Sequence, residues 1–233
     1  MIQMTYITGD THGDFRRVAY FCDAAETKSD DILIILGDAG INYYEDYRDT
    51  DLKTQIAGLP ITLFCIHGNH EARPECSGGY KETPCNGGKV FIESKYPNIF
   101  FAKDGEIFDF NGTKAIVIGG AYSVDKHFRL EKGWKWWNNE QVNDKMKAYV
   151  EGQLAANNNQ IEVVLAHTCP LKYQPTESFL PGIDPATVDK STEIWLDGIE
   201  KRIQYRKWYC GHYHIEKQID KLEFLFGSIK KFI

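Results

Sequence analysis

Short apolar runs, with a helical pattern between the first two, open the chain and predict an alternation of strands and helices. Residues 4–7 form the first run, and residues 32–36 and 61–66 are mostly aliphatic, as expected for strands covered on both faces. Residues 14–22 place apolar side chains at helical spacing behind Asp14, a residue type that caps helices. The N-terminal part therefore predicts a strand, a helix and two further buried strands.

The middle of the chain carries a hairpin signal, and the remainder returns to strands and a helix. Within residues 106–118, Asn111-Gly112 separates two apolar stretches, and this dipeptide favours a tight turn between antiparallel strands. Later apolar runs predict further strands at residues 163–166, 207–210 and 222–226. A stripe at helical spacing between the first two of these runs predicts a helix: Trp195, Ile199 and Ile203.

Three long stretches lack a clear period and are predicted as loops: residues 71–98, 121–139 and 170–190. Each follows a predicted strand, and together they hold most of the prolines. Loops of this length in a compact domain are usually functional or disordered. We therefore expect them to surround a functional site.

Length and composition favour one domain, residues 1–233, with a substantial core. Of the 233 residues, 42% are hydrophobic and 13% are aromatic. The start of the chain does not resemble a leader, and no apolar run approaches about 18 residues, so neither export nor a membrane partner is expected. Six scattered cysteines without a C-x-x-C pair favour a reducing cytoplasm. The net charge of -6 does not favour a nucleic-acid partner.

Five short polar motifs follow predicted strands: GDTHG, GDAG, HGNHE, AHTCP and CGHYH. In α/β sheets the ends at which strands deliver the chain form one crevice, so residues distant in sequence meet there. In the last motif, extended chain would point His212 and His214 to the same side. The candidate site residues are Asp10, His12, Asp38, Asn69, His70, His167, His212 and His214. They include five of the seven histidines, which predicts a metal site.

The mixture of side chains predicts two transition-metal ions. Two aspartates, an asparagine and four histidines are too many for one ion and too rich in nitrogen for magnesium or calcium. Manganese is the first choice, with iron and zinc as alternatives, and the lack of clustered cysteines argues against structural zinc. Two divalent ions beside two carboxylates leave a positive site, which suits a phosphoester substrate, and the ions would lower the pKa of bound water to make the nucleophile.

The ordered series GDTHG, GDAG, GNHE, AHTCP and GHYH resembles the calcineurin-like metallophosphoesterases, and it extends from Gly9 to His214. The resemblance implies an α/β fold, a two-sheet β-sandwich flanked by helices, with a dinuclear metal site at the C-terminal ends of strands. It implies that one ion is held by Asp10, His12, Asp38 and His214. It implies that the other is held by Asp38, Asn69, His167 and His212. Asp38 would then bridge the ions, and His70 would protonate the leaving oxygen instead of binding metal.

The second motif departs from the protein-phosphatase branch of that family. The branch continues this motif into Asp-Arg, which orients the catalytic histidine and holds phosphate, whereas this chain has Ala39-Gly40-Ile41-Asn42. GNHE is shared with the branch, and its Glu71 could order the loop that carries the catalytic histidine. A metal-dependent phosphoesterase acting on a phosphomonoester or phosphodiester is the first interpretation. A Ser/Thr-type protein phosphatase or a nuclease is the alternative, and a non-catalytic scaffold is disfavoured because every site residue is present.

Several other residues carry interpretations of their own. Replacement phosphate contacts are sought in the loop of residues 121–139: Tyr122, Lys126 and Arg129. The tryptophan-rich stretch 134–137 is interpreted as core or subunit contact rather than as a platform for a nucleotide base. His67 and His127 have no motif partners and are interpreted as structural, and Cys169 and Cys210, which adjoin candidate ligands but would point the other way along a strand, are interpreted as packing residues.

Overall fold

A computed structural model of the chain describes residues 3–179 and 181–233 and has two β-sheets that face each other across a shared core. The strands of these residues, β1 to β13 in chain order, are Thr5–Thr8, Ile32–Ile35, Thr62–Cys65, Tyr80–Cys85, Gly88–Glu93, Ile99–Ala102, Ile107–Phe110, Thr113–Ile118, Val163–Ala166, Lys207–Cys210, Lys217–Ile219, Leu222–Phe224 and Ile229–Lys231. The α-helices, α1 to α5, are Arg16–Ala25, Tyr47–Ile56, Lys126–Glu131, Asp144–Ala156 and Ser191–Glu200.

Both sheets mix parallel and antiparallel pairing. The first has the strand order β13-β1-β2-β3-β6-β5-β4, and the second has the order β11-β12-β10-β9-β8-β7. Parallel pairing joins β1, β2, β3 and β6 in the first sheet and β8, β9, β10 and β12 in the second. The antiparallel pairs lie toward the edges. The parallel strands at the centre of each sheet matter for function, because their C-terminal ends lie at the same edge of the sheet.

The side chains of β2 explain how the layers are built. Ile34 points into the core between the sheets, whereas Leu33 and Ile35 pack on the opposite face with residues of α1 and α2. Because both faces of this strand are buried, its sequence is aliphatic throughout. Helices α4 and α5 cover the outer face of the second sheet in the same way. The layers are therefore helix, sheet, sheet and helix, which confirms the predicted sandwich flanked by helices.

The predicted strands are all present, with ends shifted by at most two residues. The first helix begins at Arg16 and has Phe15 at its N-cap rather than the predicted Asp14, although Asp14 Oδ1 accepts a hydrogen bond of 3.0 Å from the N–H of Arg16. Helix α5 contains Trp195 and Ile199 of the predicted stripe and ends before Ile203. Helical spacing thus located both helices, while their ends depended on contacts that the pattern does not encode.

The stretch 71–98 is not a loop, because it contains the hairpin of β4 and β5. Its turn is Asn86-Gly87, with φ of 47° and 86°, the same dipeptide that predicted the hairpin at 111–112. The signal was therefore present and was missed. Strand β4 lies at the edge of its sheet, where polar residues and Pro84 are tolerated, so its apolar pattern is weak.

The other two predicted loops hold only short helical segments. Residues 121–139 contain α3, and the described part of residues 170–190 contains three turns of 3-10 helix. Leu180, within the second of these stretches, lies outside the described residues. None of the helices in the described residues has the length and apolar character that crossing a membrane requires.

Candidate metal centre

The predicted site residues meet where five strands end at one edge of the sandwich. In the first sheet Asp10 follows β1, Asp38 follows β2 and Asn69 follows β3. In the second sheet His167 follows β9 and His212 follows β10. The remaining three lie in the same motifs: His12, His70 and His214. The structure brings all eight residues together, because the parallel centres of both sheets end side by side.

One group of ligand atoms comes from Asp10, His12 and His214, and these atoms lie within 4.8 Å of one another. His12 Nε2 is 2.9 Å from His214 Nε2, which in turn is 3.1 Å from Asp10 Oδ2. Donor atoms lie about 2 Å from a bound transition metal, so three donors this close fit a single ion. Two imidazoles and a carboxylate are a donor set typical of manganese, iron and zinc.

A second group comes from Asp10, Asp38 and His167, whose ligand atoms also lie within 4.8 Å of one another. His167 Nε2 is 3.7 Å from Asp38 Oδ2 and 2.9 Å from Asn69 Oδ1. Asp38 Oδ2 is also 4.0 Å from His12 Nε2, which belongs to the first group. This single carboxylate oxygen therefore lies between the two groups.

His212 and His214 reach the site by a turn and not along a strand. Strand β10 ends at Cys210, and His212 and His214 have left-handed backbones, with φ of 66° and 53°. The expectation that extended chain points both to one side is therefore wrong. The turn directs them apart: His214 contacts Asp10 of the first group, while the ring centroid of His212 lies 5.0 Å from that of His167 in the second.

Backbone donors hold one oxygen of each aspartate and leave the other to the imidazoles. The N–H of His212 donates to Asp10 Oδ1 at 3.0 Å, and the N–H of His70 donates to Asp38 Oδ1 at 2.7 Å. The Oδ2 atoms face His214 and His167, respectively. Each carboxylate is thus fixed in orientation before a metal binds.

Two glycines of the motifs allow these carboxylates to approach the backbone. A Cβ at Gly68 would lie 1.9 Å from Asp38 Oδ1, and a Cβ at Gly211 would lie 2.2 Å from Asp10 Oδ1. A side chain at either position would displace the carboxylate beside it. The glycines in HGNHE and CGHYH are therefore part of the site geometry.

The electrostatic environment favours the protonation states that metal ligands require. Burial lowers the pKa of His212 to about 3, so its imidazole is neutral at pH 7. Burial alone would raise the pKa of Asp38, but the surrounding imidazoles of His167, His70 and His12 bring it below its usual value. A neutral imidazole and an ionised carboxylate can both donate lone pairs to a cation.

Glu71 lies beneath the loop that joins β3 to the site and is completely buried. Its carboxylate accepts hydrogen bonds from the N–H of Gly68 at 2.9 Å and from the N–H of Gly40 at 3.2 Å. Burial and the nearby Asp38 raise the pKa of Glu71 to about 8. Glu71 thereby links the second and third motifs, in agreement with its expected role in ordering the loop of His70.

A buried hydrogen-bond network fixes the side-chain amide of Asn69. Asn69 Nδ2 donates to Ser123 Oγ at 3.0 Å, and the Ser123 hydroxyl donates to Glu140 Oε2 at 2.6 Å. Arg129 Nη1 also donates to Ser123 Oγ, at 3.1 Å. Because the amide nitrogen is engaged, Asn69 Oδ1 is presented toward His167 and the second ligand group. Sequence reasoning missed Ser123 and Glu140, because no motif marks them.

Replacing Ser123 with alanine is expected to weaken the binding of a divalent metal ion by about 10- to 100-fold, the usual effect of removing a group that orients a ligand. The substitution leaves the Asn69 amide free to rotate and removes a donor to Glu140. Titration of the metal-free protein with Mn²⁺ measures the change. Ser29→Ala, at an exposed serine on the far side of the fold, is the matched control. Equal affinities in the two variants would refute the orienting role.

His70 lies beside both ligand groups without joining either. Its Nε2 is 3.8 Å from Asp125 Oδ1, and burial, with a contribution from Arg129, lowers the pKa of His70. Asp125 comes from the loop of residues 121–139, whereas the protein-phosphatase pattern would supply an aspartate from the second motif. Sequence reasoning missed Asp125, although it had marked that loop.

The expected phosphate contacts in the same loop need correction. Arg129 is fully buried, with its guanidinium 5.8 Å from the ring of Tyr43 and 5.7 Å from the ring of Trp137. It therefore stabilises the residues around the site and is not exposed to bind phosphate. Lys126 Nζ lies 4.0 Å from the ring of Trp136. Of the three candidates only Tyr122 lines the cavity over the site, among the described residues.

The tryptophan-rich stretch is not part of the core. Trp134 is 54% exposed, and Trp136 and Trp137 are half-buried. The interpretation as core is therefore wrong for Trp134, and a subunit contact stays a prediction. His67 is buried at the end of β3 and Cys169 and Cys210 are buried in the second sheet region, which agrees with their structural interpretation.

Known proteins resemble this chain in sequence pattern and in fold. A family model described as calcineurin-like phosphoesterase matches residues 5–216. The crystal structure of TT1561 of Thermus thermophilus is similar over 99% of this chain and 98% of its own, with a TM-score of 0.52 and 11% identity. A further crystal structure is similar over 97% of this chain and 90% of its own, with a TM-score of 0.52 and 16% identity. No curated protein matched the chain. At these identities the two structures establish a shared fold alone.

Proposed function

Since the chain belongs to the calcineurin-like phosphoesterase family, a family of metal-dependent phosphoesterases, we propose that it hydrolyses a phosphomonoester or a phosphodiester at two divalent transition-metal ions. The observation that carries this proposal is the meeting of two ligand groups, with His70 beside them, at the strand ends. Manganese is the proposed metal, because it accepts carboxylate, amide and imidazole donors together. Iron and zinc remain the alternatives.

The distances support the assignment of ligands to two ions. The first ion would be held by Asp10, His12, Asp38 and His214. The second would be held by Asp38, Asn69, His167 and His212. The position of Asp38 Oδ2, within 4.0 Å of a histidine nitrogen from each group, supports its role as the bridge. Asp10 belongs to both groups by distance and is assigned to the first, because its Oδ2 is 3.1 Å from His214 Nε2.

Two bound divalent ions would polarise a phosphoryl oxygen and lower the pKa of water to supply the nucleophile. Side chains of the protein would set the net charge of the site and supply the proton for the leaving group. Asp10 and Asp38 compensate only half of the charge of two such ions, so the site stays attractive to phosphate. In its protonated form the imidazole of His70, whose ring centroid lies 5.6 Å from that of His12, would give a proton to the departing oxygen.

The direct test is a substrate panel with purified, manganese-loaded protein. The panel contains p-nitrophenyl phosphate, bis-p-nitrophenyl phosphate, cyclic nucleotides and a phosphopeptide. We expect turnover of at least one chromogenic ester that disappears when metal is chelated, and the ratio of the two p-nitrophenyl rates separates a monoesterase from a diesterase. Turnover of the phosphopeptide above all others would favour the protein-phosphatase alternative. No turnover on any ester, with both metal positions filled, would overturn the proposed function.

The protein is expected to bind about two transition-metal ions per chain, because seven proposed ligands exceed what one ion accepts. Elemental analysis after gentle purification, followed by titration of the metal-free protein with Mn²⁺, measures the stoichiometry. The thermal midpoint should rise as metal is added, since the ions bind the folded chain. Saturation at a single ion would contradict the dinuclear site.

A further inference from the structure

A cavity of about 500 Å³ opens over the proposed metal ligands. Its floor is formed by site residues: His12, Asp38, Asn69, His70, His212 and His214. The rest of the lining is mostly apolar and comes in large part from residues 174–179 and 181–190. Its apolar members include Val124, Phe179, Ile183, Pro185, Val188 and Ile215. The volume lies in the range of small-molecule binding sites, and a phosphate at the floor would leave room for a further group against the wall.

Two aromatic side chains of the cavity lining have nearly parallel rings. The rings of Phe179 and Tyr213 are nearly parallel, with an angle of 15° between their planes and 6.5 Å between their centroids. The Tyr213 ring is held edge to face by Phe224 at 5.6 Å and by His212 at 4.9 Å, so its orientation is fixed. A flat ligand ring that stacks on one of the two would lie parallel to the other as well.

One residue that lines the same cavity has a buried carboxylate oxygen without a hydrogen-bond partner among the described residues. Glu193, at the start of α5, lines the cavity and is only 3% exposed. Its Oε1 accepts a hydrogen bond of 2.9 Å from the Thr168 hydroxyl, but its Oε2 has no hydrogen-bond partner among the described residues. Thr168 Oγ1 lies 3.2 Å from the Tyr213 hydroxyl, which places the carboxylate beside the aromatic wall. A ligand N–H or O–H would satisfy the free oxygen.

Positive charge on the wall is sparse. Apart from the site histidines, Lys190 is the one side-chain cation among the described residues that line the cavity. The cations of the neighbouring loop are used elsewhere, since Arg129 is buried against Ser123 and Lys126 packs on Trp136. A group carrying further phosphates would find little to bind here. The wall therefore suits an uncharged group.

We infer that this cavity binds the esterified group of the substrate, and that this group is an uncharged flat aromatic ring with a hydrogen-bond donor, as in an aryl or a nucleoside phosphoester. The ring lies on the wall of Phe179 and Tyr213, its donor reaches Glu193 Oε2, and the phosphate meets the metal ligands. The inference rests on the proposed phosphoesterase function, which it deepens by naming a substrate class.

The test measures binding of phosphonates, whose P–C bond is not hydrolysed, to the manganese-loaded protein by calorimetry. The probes are methylphosphonate, cyclohexylmethylphosphonate, benzylphosphonate and 4-aminobenzylphosphonate. Benzylphosphonate should bind at least about tenfold more tightly than methylphosphonate, a gain typical of stacking one ring. The amino compound should bind a further ~3-fold or more tightly, because it supplies the donor for Glu193. Equal binding of the cyclohexyl and benzyl compounds would overturn the claim for a flat ring.

Two substitutions locate the ring and the donor. Phe179→Leu keeps an apolar side chain but removes the flat face, so the preference for benzyl over methyl should fall. Glu193→Gln should abolish the added affinity of the amino group, because the amide oxygen remains with Thr168 and an N–H₂ replaces the free acceptor. Phe128→Leu, an exposed aromatic on α3 outside the cavity lining, should change neither ratio. Ratios that survive both cavity substitutions would overturn the placement.

A further probe that carries a nucleobase distinguishes nucleoside esters from simple aryl esters as substrates. An adenine carried on a phosphonomethoxyethyl chain is compared with 4-aminobenzylphosphonate. Tighter binding of the adenine compound assigns the cavity to nucleoside esters, and tighter binding of the aminobenzyl compound assigns it to simple aryl esters. Because these probes are not turned over, their binding is judged separately from catalysis. A failure of the proposed function would appear instead as no turnover on the ester panel with two ions bound.

Discussion

Replacing Asp38 with alanine is expected to empty the metal site and to abolish hydrolysis. Asp38 Oδ2 lies 4.0 Å from His12 Nε2 and 3.7 Å from His167 Nε2, so the change removes a donor from each proposed ion. It also removes one of the two carboxylates that compensate the charge of the ions. The rate should fall by about 10⁴-fold or more, because both the polarised phosphoryl oxygen and the activated water depend on the ions. Elemental analysis and the rate on a p-nitrophenyl ester measure the two effects together.

Asp31→Ala is the matched control for this substitution. Asp31 is a buried aspartate at the opposite end of β2, where it accepts hydrogen bonds from the N–H of Met4 at 2.8 Å and the N–H of Lys28 at 3.0 Å. Its loss should lower the thermal midpoint while two ions and normal turnover remain. The comparison separates damage to the fold from damage to the site. An Asp38→Ala protein that keeps two ions and turns over normally would exclude the bridge.

Replacing His70 with alanine is expected to leave both ions in place and to slow hydrolysis by on the order of 10²- to 10⁴-fold, the usual contribution of a general acid. The side chain of His70 belongs to neither ligand group. Its backbone N–H, which holds Asp38 Oδ1 at 2.7 Å, is retained by alanine. The substitution therefore removes the proposed proton donor and keeps the backbone N–H that orients the carboxylate of Asp38.

The leaving group provides a second, independent measure of the role of His70. p-Nitrophenolate leaves without a proton, whereas an alkoxide needs one, so the alkyl ester should lose far more rate than the p-nitrophenyl ester. His127→Ala, at an exposed histidine of α3, is the control and should keep both rates. Loss of metal from the His70→Ala protein, or equal losses on the two esters, would reject the assignment as proton donor.

The central strands β2, β3 and β9 and the positions of the site motifs were predictable from the sequence for one physical reason, whereas the interior strand β6 was not predicted. Strands such as β2 are buried on both faces, so their residues must be apolar throughout, and polar residues directly after them must lie at the sheet edge. Asp38 and His167 follow such strands. Edge strands need not be buried on both faces, and β4 was not predicted, although Asn86-Gly87 marked its turn.

Residues that support the site were not predictable in the same way. Ser123, Glu140 and Asp125 act through contacts between segments that are distant from the motifs, and no local pattern records such contacts. Arg129 illustrates the opposite error. Its charge beside a strand end suggested a phosphate ligand, but burial against Ser123 turns the same charge into a support for the site. Residue type identified the candidate ligands that the structure brings together, while the role of each supporting residue depended on tertiary packing.

Four of the proposed ligands have left-handed backbones, with φ between 47° and 66°: His12, Asp38, His212 and His214. A residue other than glycine in this region costs of order 1 kcal/mol or more, so the site lowers the stability of the metal-free chain. Glycine at these positions would relieve that strain and destroy the site with it. Activity and stability therefore oppose each other at these positions. Without selection for catalysis, substitutions that remove these ligands would accumulate first, because they would make the two-sheet fold more stable.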